Sequence, residues 1–265
     1  MIRAVVLDWA GTMVDYGCFA PLHVFMEVFR KQGIEITLEE AREPMGLLKR
    51  DHIAAILNMP RVAGLWEERY GRLPQTSDID ELYADFEPKM LAVVHQYAEP
   101  VPGAVELVGR LRQSGIRIGS TTGYTAEMMA IVSAEANKRG YAPDHLVTPS
   151  EVPAGRPYPW MIYRNAEALN VYPMHSLMKV GDTVSDMREG VHAGVWTVGV
   201  ILGSSELGMS EAEVEACAPD VLKARMEAVA AKFREEGAHY VIASIGELDQ
   251  LIPAINQRLL GGERP

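Results

Sequence analysis

Residues 5–12, with the sequence VVLDWAGT, constrain the fold more than any other stretch of the chain. An apolar, β-branched run ends in the carboxylate of Asp8, and Gly11 and Thr12 follow at once. This pattern is typical of a buried strand in a parallel sheet. Ligands of such sheets bind at the carboxyl ends of the strands. We therefore expect Asp8 to be a nucleophile or a metal ligand, the alternative being a side chain that merely caps the next turn.

Further apolar runs follow later in the chain and alternate with segments of helical periodicity. This alternation predicts βαβ units and an α/β fold with a Rossmann-like, mostly parallel sheet. The predicted strands after the first are residues 116–121, a short one near Leu146–Val147, 177–180, 196–201 and 240–242. Ser210 with Glu213 and Ser244 with Glu247 resemble capping boxes, and they predict the starts of a long helix and of a final helix.

The segment between about Ala20 and Tyr97 contains helical patterns and no strand pattern. Apolar residues recur at helical spacing from Leu22 to Gly33, Thr37 with Glu40 predicts a capping box, and a further helix is expected over 47–58. We therefore predict a core domain formed by residues 1–19 and 98–265. An all-helical cap domain, residues 20–97, is inserted between its first two strands.

Composition limits the possible partners of the chain. With 25 Lys and Arg against 36 Asp and Glu, the formal net charge is −11, which disfavours binding to nucleic acid. The two cysteines lie far apart in sequence and fit a reducing compartment. No stretch approaches the ~18 apolar residues that a membrane helix needs. We expect a cytoplasmic protein that acts on a small molecule.

Other polar residues fall at predicted strand ends or in loops near them. Thr121, Thr122 and Asp182 follow strands, Asp186 lies one helical turn after Asp182, and Arg156 lies in a proline-rich loop. Carboxylates that converge from two strand ends suit Mg²⁺, which prefers oxygen ligands, and a guanidinium suits phosphate. The alternatives are a surface salt bridge for Arg156 and a helix N-terminal charge for Asp186.

These segments resemble the four motifs of the haloacid dehalogenase superfamily, in the same order along the chain. The matching stretches are LDWAGT at 7–12, STTG at 120–123, Arg156, and GDTVSD at 181–186. The resemblance implies that Asp8 attacks phosphorus and becomes an aspartyl phosphate, with Thr122 and Arg156 binding the phosphoryl oxygens. It also implies Mg²⁺ held by the Asp8 carboxylate, the Ala10 carbonyl and Asp182, with Asp186 acting indirectly.

Ala10 departs from the pattern of the phosphatases in that superfamily. They usually carry a second Asp two residues after the nucleophile, which protonates the departing alkoxide. A methyl group transfers no proton, so either the protein is inactive or its leaving group does not need that acid. A carbon leaving group satisfies the second condition if another group stabilises the carbanion.

Lys49 is the candidate for that stabilising group. Lys49, His52, Ile53 and Ile56 share one face of the predicted helix over 47–58. A lysine on an apolar face beside a histidine should have a lowered pKa, and a neutral amine can condense with an aldehyde to form an imine. The alternative is a lysine that extends along the edge of a cap helix to water.

The four motifs, together with Ala10 and Lys49, resemble the phosphonatase family within that superfamily. The resemblance rests on residues 8–12, 15–18, 45–49, 120–129, 152–160 and 180–186, with Met13 as a departure from the expected threonine. It implies hydrolysis of phosphonoacetaldehyde to acetaldehyde and phosphate, with Lys49 as the Schiff-base residue, and it implies a homodimer. His52 and Tyr124 would assist proton transfer, and the pocket would be shaped by Cys18, Met45, Gly46 and Gly123.

Several alternatives stay open from the sequence. Met45 and Cys18 could instead be ordinary residues of the apolar core, because methionine and cysteine side chains commonly fill such cores. The whole chain is also compatible with a phosphomonoesterase of the same superfamily, a dehalogenase that attacks carbon without metal, or a non-catalytic sensor of a phosphate ligand.

Overall fold

The computed structural model describes residues 1–265 and is built around one six-stranded sheet. All neighbouring strands are parallel, in the order β3-β2-β1-β4-β5-β6. This confirms the predicted α/β class. The strands are β1 (Ala4–Leu7), β2 (Arg117–Thr121), β3 (His145–Val147), β4 (Leu177–Gly181), β5 (Trp196–Val200) and β6 (Tyr240–Ile242).

Twelve α-helices accompany the strands, and four short 3₁₀ turns lie between them. The helices are α1 (Phe19–Lys31), α2 (Leu38–Arg42), α3 (Lys49–Leu57), α4 (Pro60–Tyr70), α5 (Thr76–Val93), α6 (Ala104–Gln113), α7 (Ala126–Lys138), α8 (Trp160–Ala168), α9 (Val184–Ala193), α10 (Glu211–Ala216), α11 (Pro219–Glu235) and α12 (Leu248–Leu260). None of them combines the length and the apolar character that a membrane crossing requires.

The central strand β1 sets the position of the site. All four of its residues are fully buried, as expected for an apolar strand covered by helices on both faces. Leu7 is in register with Ser120 of β2 and with Val180 of β4, so the three strands end at the same level. Strand order reverses between β1 and β4, and the crevice outside such a switch point is where α/β sheets bind ligands.

Helices α1 to α5 and a 3₁₀ turn account for all regular structure between residues 19 and 97, as predicted. Thr37 and Glu40 form the expected capping box at the start of α2. Phe25 of α1 stacks on Phe86 of α5, with ring centroids 4.5 Å apart. One cluster of 49 buried apolar residues extends from this helical insert to the sheet, so the two parts share an apolar core.

The chain enters and leaves the helical insert through two adjacent segments. The amide of Asp15 donates to the Glu99 carbonyl at 3.2 Å, and the amide of Val101 donates to the Met13 carbonyl at 2.9 Å. Val14 and Pro100 form an antiparallel bridge between these bonds. Any movement of the insert relative to the sheet must therefore act through this pair of connections.

Two expectations near the C-terminus need correction. The Ser210–Glu213 capping box is present, but it opens only the short helix α10, and the long helix α11 begins separately at Pro219. The break follows from Pro219, which holds the preceding Ala218 in an extended conformation. The other expected box is absent: Ser244 caps a 3₁₀ turn by accepting from the Gly246 amide, and α12 begins only at Leu248.

Candidate active site

Asp8 and Asp182 come together because they follow adjacent strands of equal register. Gly11 permits the close approach: its φ is +88°, and a Cβ there would lie 2.2 Å from Asp182 Oδ2. Two donors hold the Asp182 carboxylate in place. The Thr12 hydroxyl donates to Oδ1 at 3.0 Å, and the Ser205 amide donates to Oδ2 at 2.8 Å.

The carboxylates fit a divalent cation. Oxygen atoms of Asp8, Asp182 and Asp186 lie within 4.8 Å of one another, and all three residues are buried. Burial and the two neighbouring carboxylates raise the pKa of Asp182 well above its usual value. Buried carboxylates without enough positive charge around them are the oxygen-rich environment that a hard cation compensates.

Arg156 reaches this cluster from the loop that precedes α8. Its guanidinium lies 2.5 Å from Asp8 Oδ1, 3.1 Å from Asp186 Oδ1 and 3.0 Å from Glu189 Oε2. Burial raises the pKa of the Asp8 carboxyl, and Arg156 offsets part of that rise. Arg156 and Lys179 together outweigh burial at Asp186 and lower its pKa. The guanidinium is therefore buried and aimed at the predicted nucleophile, not paired at the surface.

Sequence reasoning missed a second layer of charges beneath Arg156. Lys179 of β4 lies 2.8 Å from Asp186 Oδ1 and 3.0 Å from Glu189 Oε2, and it donates to the Thr121 hydroxyl at 2.6 Å. A signal was present, since a lysine inside the buried strand LMKVG requires anionic partners. Glu189 follows Asp186 by three residues and so shares its helix face. Beneath the position of a bound ligand, four carboxylates therefore face the two cations Arg156 and Lys179. The four are those of Asp8, Asp182, Asp186 and Glu189.

A small cavity of about 20 Å³ lies above Asp8, between the helical insert and the sheet. It suits a small ligand rather than a polymer. Both parts of the chain contribute to its walls. The lining residues are Asp8, Ala10, Cys18, Met45, Gly46, Lys49, Thr122, Gly123, Tyr124, Arg156 and Thr183.

Lys49 is the first residue of α3 and carries its amine into this cavity. The side chain is buried, and burial lowers the pKa of its amine from 10.5 to about 8. Cys18 and Asp8 act in the opposite direction and raise this pKa. Its Nζ lies 5.1 Å from the centroid of the Tyr124 ring and 5.9 Å from that of Phe25. About a tenth of the amine is therefore neutral at pH 7, several hundredfold more than at a pKa of 10.5, and the neutral form is the one that attacks a carbonyl.

The remaining predicted residues divide between the cavity and its surroundings. Tyr124 lines the cavity with a buried hydroxyl that has no hydrogen-bond partner, and burial raises its pKa well above 10. Its amide donates to the Thr122 hydroxyl at 3.1 Å. Burial likewise raises the pKa of the Cys18 thiol. Asp182 and Asp186 lie beside Asp8, beneath the lining residues.

His52 does not line the cavity. Its Nε2 lies 2.9 Å from the Ala41 carbonyl, which can only accept, so Nε2 carries the proton. Nδ1 is buried without a partner, and the ring lies 4.1 Å from that of Phe25. Burial and the nearby Lys49 lower the pKa of His52 well below 6.5, so the ring is neutral.

Two glycines allow the insert to approach the core closely. A Cβ on Gly123 would lie 2.6 Å from the Leu47 carbonyl oxygen, and one on Gly46 would lie 2.5 Å from Thr183 Oγ1. Any side chain at either position would push the insert away from the sheet. The cavity therefore keeps its size only while both positions lack a side chain.

The fold and the cluster of strand-end carboxylates define a haloacid dehalogenase-like hydrolase. A family model with that description matches residues 2–194. Within that class the chain belongs to the phosphonoacetaldehyde hydrolase family.

Sequence and structural relatives support this assignment. The chain is 59% identical to phosphonoacetaldehyde hydrolase of Bacillus cytotoxicus over 257 residues, which cover 97% of each protein. It is 57% identical to the enzyme of that name from Bacillus cereus over 259 residues, 98% of each. A crystal structure of a phosphonoacetaldehyde hydrolase-like protein from Oleispira antarctica superposes with a TM-score of 0.97 at 38% identity, covering 100% of this chain and 96% of that one.

Proposed function

We propose that this protein hydrolyses the carbon–phosphorus bond of phosphonoacetaldehyde, giving acetaldehyde and phosphate. One observation carries the proposal: a buried amine with a pKa of about 8 and the Asp8 carboxylate line the same cavity. The names of the relatives, at 57–59% identity, point to the same substrate. Ala10 lines the cavity where a phosphatase of this class needs a proton donor, and a carbon leaving group removes that need.

The first proposed step joins the substrate to Lys49. The neutral amine attacks the aldehyde carbon, water leaves, and an imine forms whose CH₂ group still carries the phosphonyl group. Protonation of the imine nitrogen makes it an electron acceptor. The Tyr124 hydroxyl stays protonated because burial raises its pKa, so it would donate a hydrogen bond to the aldehyde oxygen while Lys49 attacks the carbon. His52 lies outside the cavity and burial weakens the basicity of its Nδ1, so a part for His52 in proton transfer stays a prediction.

The second proposed step transfers the phosphoryl group to Asp8. A carboxylate oxygen of Asp8 attacks phosphorus as the carbon–phosphorus bond breaks, and the electron pair of that bond moves into an enamine on Lys49. Arg156 lies within ion-pair distance of Asp8, where it can stabilise the phosphoryl oxygens during transfer. Thr122 lines the same cavity and would donate its hydroxyl to those oxygens.

The carboxylate cluster fits Mg²⁺ as the ion of this site. Asp8, Asp182 and the Ala10 carbonyl would hold it, with Asp186 acting indirectly. When bound, the ion offsets negative charge on the phosphoryl oxygens and on the carboxylates.

The last steps regenerate both residues. Water hydrolyses the aspartyl phosphate and releases phosphate. The enamine takes a proton on its terminal carbon, and hydrolysis of the resulting imine releases acetaldehyde and frees Lys49. One water leaves and two are consumed, so one water is consumed per turnover.

The proposed reaction needs the cavity to open for substrate. We propose that residues 20–97 move as a cap on a core formed by residues 1–19 and 98–265, with the paired connections near Asp15 and Glu99 as the hinge. In the closed position, Cys18, Met45, Gly46 and Gly123 shape the pocket around the aldehyde. Homodimerisation and a cytoplasmic location stay predictions.

The test is a two-product assay with phosphonoacetaldehyde and Mg²⁺. We expect acetaldehyde and phosphate in equal amounts, and loss of both products in Lys49→Met and Asp8→Asn. A sugar phosphate is the matched competing substrate, and we expect it to react far more slowly. Faster release of phosphate from the ester, with Lys49→Met still active on it, would show a phosphomonoesterase instead. No release from either compound would show a non-catalytic protein.

A further inference from the structure

Arg42 is the only charged side chain of residues 20–97 that hydrogen-bonds to the rest of the chain. It lies in the last turn of α2, and its Nη1 donates to two backbone carbonyls outside the insert. One is Gly17, at 2.8 Å, and the other is Ser205, at 3.2 Å. Its guanidinium also stacks over the Phe19 ring, 5.0 Å from the centroid. Three independent contacts fix this side chain in one position.

Each of the two carbonyls belongs to a segment that matters for the site. Gly17 lies in the connection into the insert, and its amide donates to the Gly203 carbonyl at 2.7 Å. Ser205 lies in the loop after β5, where its amide donates to Asp182 Oδ2 at 2.8 Å. Arg42 therefore binds the carbonyl of the same residue whose amide orients a candidate metal ligand.

We propose that Arg42 is a positioning residue that couples the seating of the helical insert to the cation site. With the insert seated, Arg42 holds the Ser205 loop so that its amide points at Asp182. When the insert lifts, that loop loses its anchor, and Asp182 loses the amide donor that orients its carboxylate. The coupling is reciprocal, so a cation bound at the carboxylates favours the seated insert. The inference rests on the proposed movement of the insert, and on the proposed reaction only for its consequence in turnover.

The direction in which cation affinity changes when Arg42 is removed distinguishes positioning from a general electrostatic effect. Removal of any positive charge near acidic ligands should strengthen cation binding slightly through the field alone. Loss of positioning should weaken it. Arg61→Ala is the matched control, because Arg61 also belongs to the insert but pairs only with Glu40 and the Glu35 carbonyl, both within the insert.

The experiment measures the affinity of the whole protein for Mn²⁺, a spectroscopic substitute for Mg²⁺, by electron paramagnetic resonance without substrate. We expect Arg42→Ala to raise the dissociation constant about tenfold, as for the loss of one hydrogen bond to a charged group. Arg42→Lys can reach only one of the two carbonyls, so its dissociation constant should lie between those of wild type and Arg42→Ala. The dissociation constant of Arg61→Ala should stay within about twofold of the wild-type value. In Arg42→Ala, hydrogen exchange of the Ser205 amide should also become faster.

Two results would overturn the inference. One is a folded Arg42 variant whose Mn²⁺ affinity and Ser205 amide exchange are both unchanged. The other is a wild-type protein that does not bind Mn²⁺ at the carboxylates. Arg42→Lys supplies the folded variant if Arg42→Ala does not fold. Because Mn²⁺ binding needs no turnover, it separates this inference from the proposed function. A wild type that binds Mn²⁺ through Arg42-dependent geometry but leaves phosphonoacetaldehyde intact would refute only the reaction.

Discussion

Replacing Lys49 with methionine should make the protein more stable while it abolishes turnover. Folding moves the pKa of Lys49 from 10.5 to about 8, because burial disfavours the charged amine. At about 1.4 kcal/mol per pKa unit, this shift corresponds to a penalty on the order of 3 kcal/mol at neutral pH. We therefore expect Lys49→Met to raise the free energy of unfolding by up to about 3 kcal/mol at pH 7.

The stability that Lys49→Met gains over wild type should decrease as the pH rises. Below pH 8 the amine is protonated in both the folded and the unfolded chain, and the folded state bears the full penalty. Between about 8 and 10.5 the unfolded chain binds more protons, so the stability of wild type rises with pH. Above 10.5 both states are neutral. The advantage of Lys49→Met should therefore be largest below pH 8 and vanish above 10.5.

The assay is urea unfolding of wild type and Lys49→Met at pH 7 and at pH 10.5, together with turnover of phosphonoacetaldehyde. Lys31→Met is the control, because Lys31 is exposed and pairs with Asp85, so its loss should change stability by less than about 1 kcal/mol at either pH. A Lys49→Met protein that is less stable than wild type at pH 7, or whose advantage does not shrink at pH 10.5, would refute the lowered pKa on which the imine step depends.

Three further outcomes follow from the site. The rate at which an amine-selective reagent labels Lys49 should rise about tenfold per pH unit and level off above about 8, whereas a pKa near 10.5 would give a rise that continues past pH 9. Gly123→Ala should lower kcat/KM by about a hundredfold, because the new Cβ would meet the Leu47 carbonyl at 2.6 Å. Gly64→Ala, at an open position, is its control. Arg156→Lys should lower kcat by about a hundredfold or more, because an ammonium cannot reproduce the three-carboxylate contact; a fall below tenfold would contradict that role.

The sequence was sufficient to predict the parts of the fold that depend on local pattern. The apolar runs before Asp8 and Asp182 and the helical periodicity over 20–97 are local signals, and the structure confirms them. Asp8 and Asp182 were expected to lie together because each follows a strand of one parallel sheet, and the register of β1 with β4 places them so. Ala10 and Lys49 were recognisable because a missing acid and a lysine on an apolar face are unusual.

What the sequence did not predict depends on contacts between distant segments. Lys179, Glu189 and Thr121 form their buried network only after β2, β4 and α9 have packed. The Arg42 contact joins residues 163 positions apart through a backbone carbonyl, and such a carbonyl carries no side-chain signal. His52 shares a helix face with Lys49, yet spacing alone does not show that the Ala41 carbonyl holds its Nε2 outside the cavity.

Reductive trapping tests the central claim most directly, namely that Lys49 bears the carbon while Asp8 takes the phosphoryl group. Borohydride is added during turnover of phosphonoacetaldehyde, and the modified residue is identified by peptide mass spectrometry. The account predicts an ethyl group on Lys49 in wild type, and a phosphonoethyl group on the same residue in Asp8→Asn, where the carbon–phosphorus bond stays intact. An unmodified Lys49 in both proteins, with turnover continuing until reduction, would contradict it.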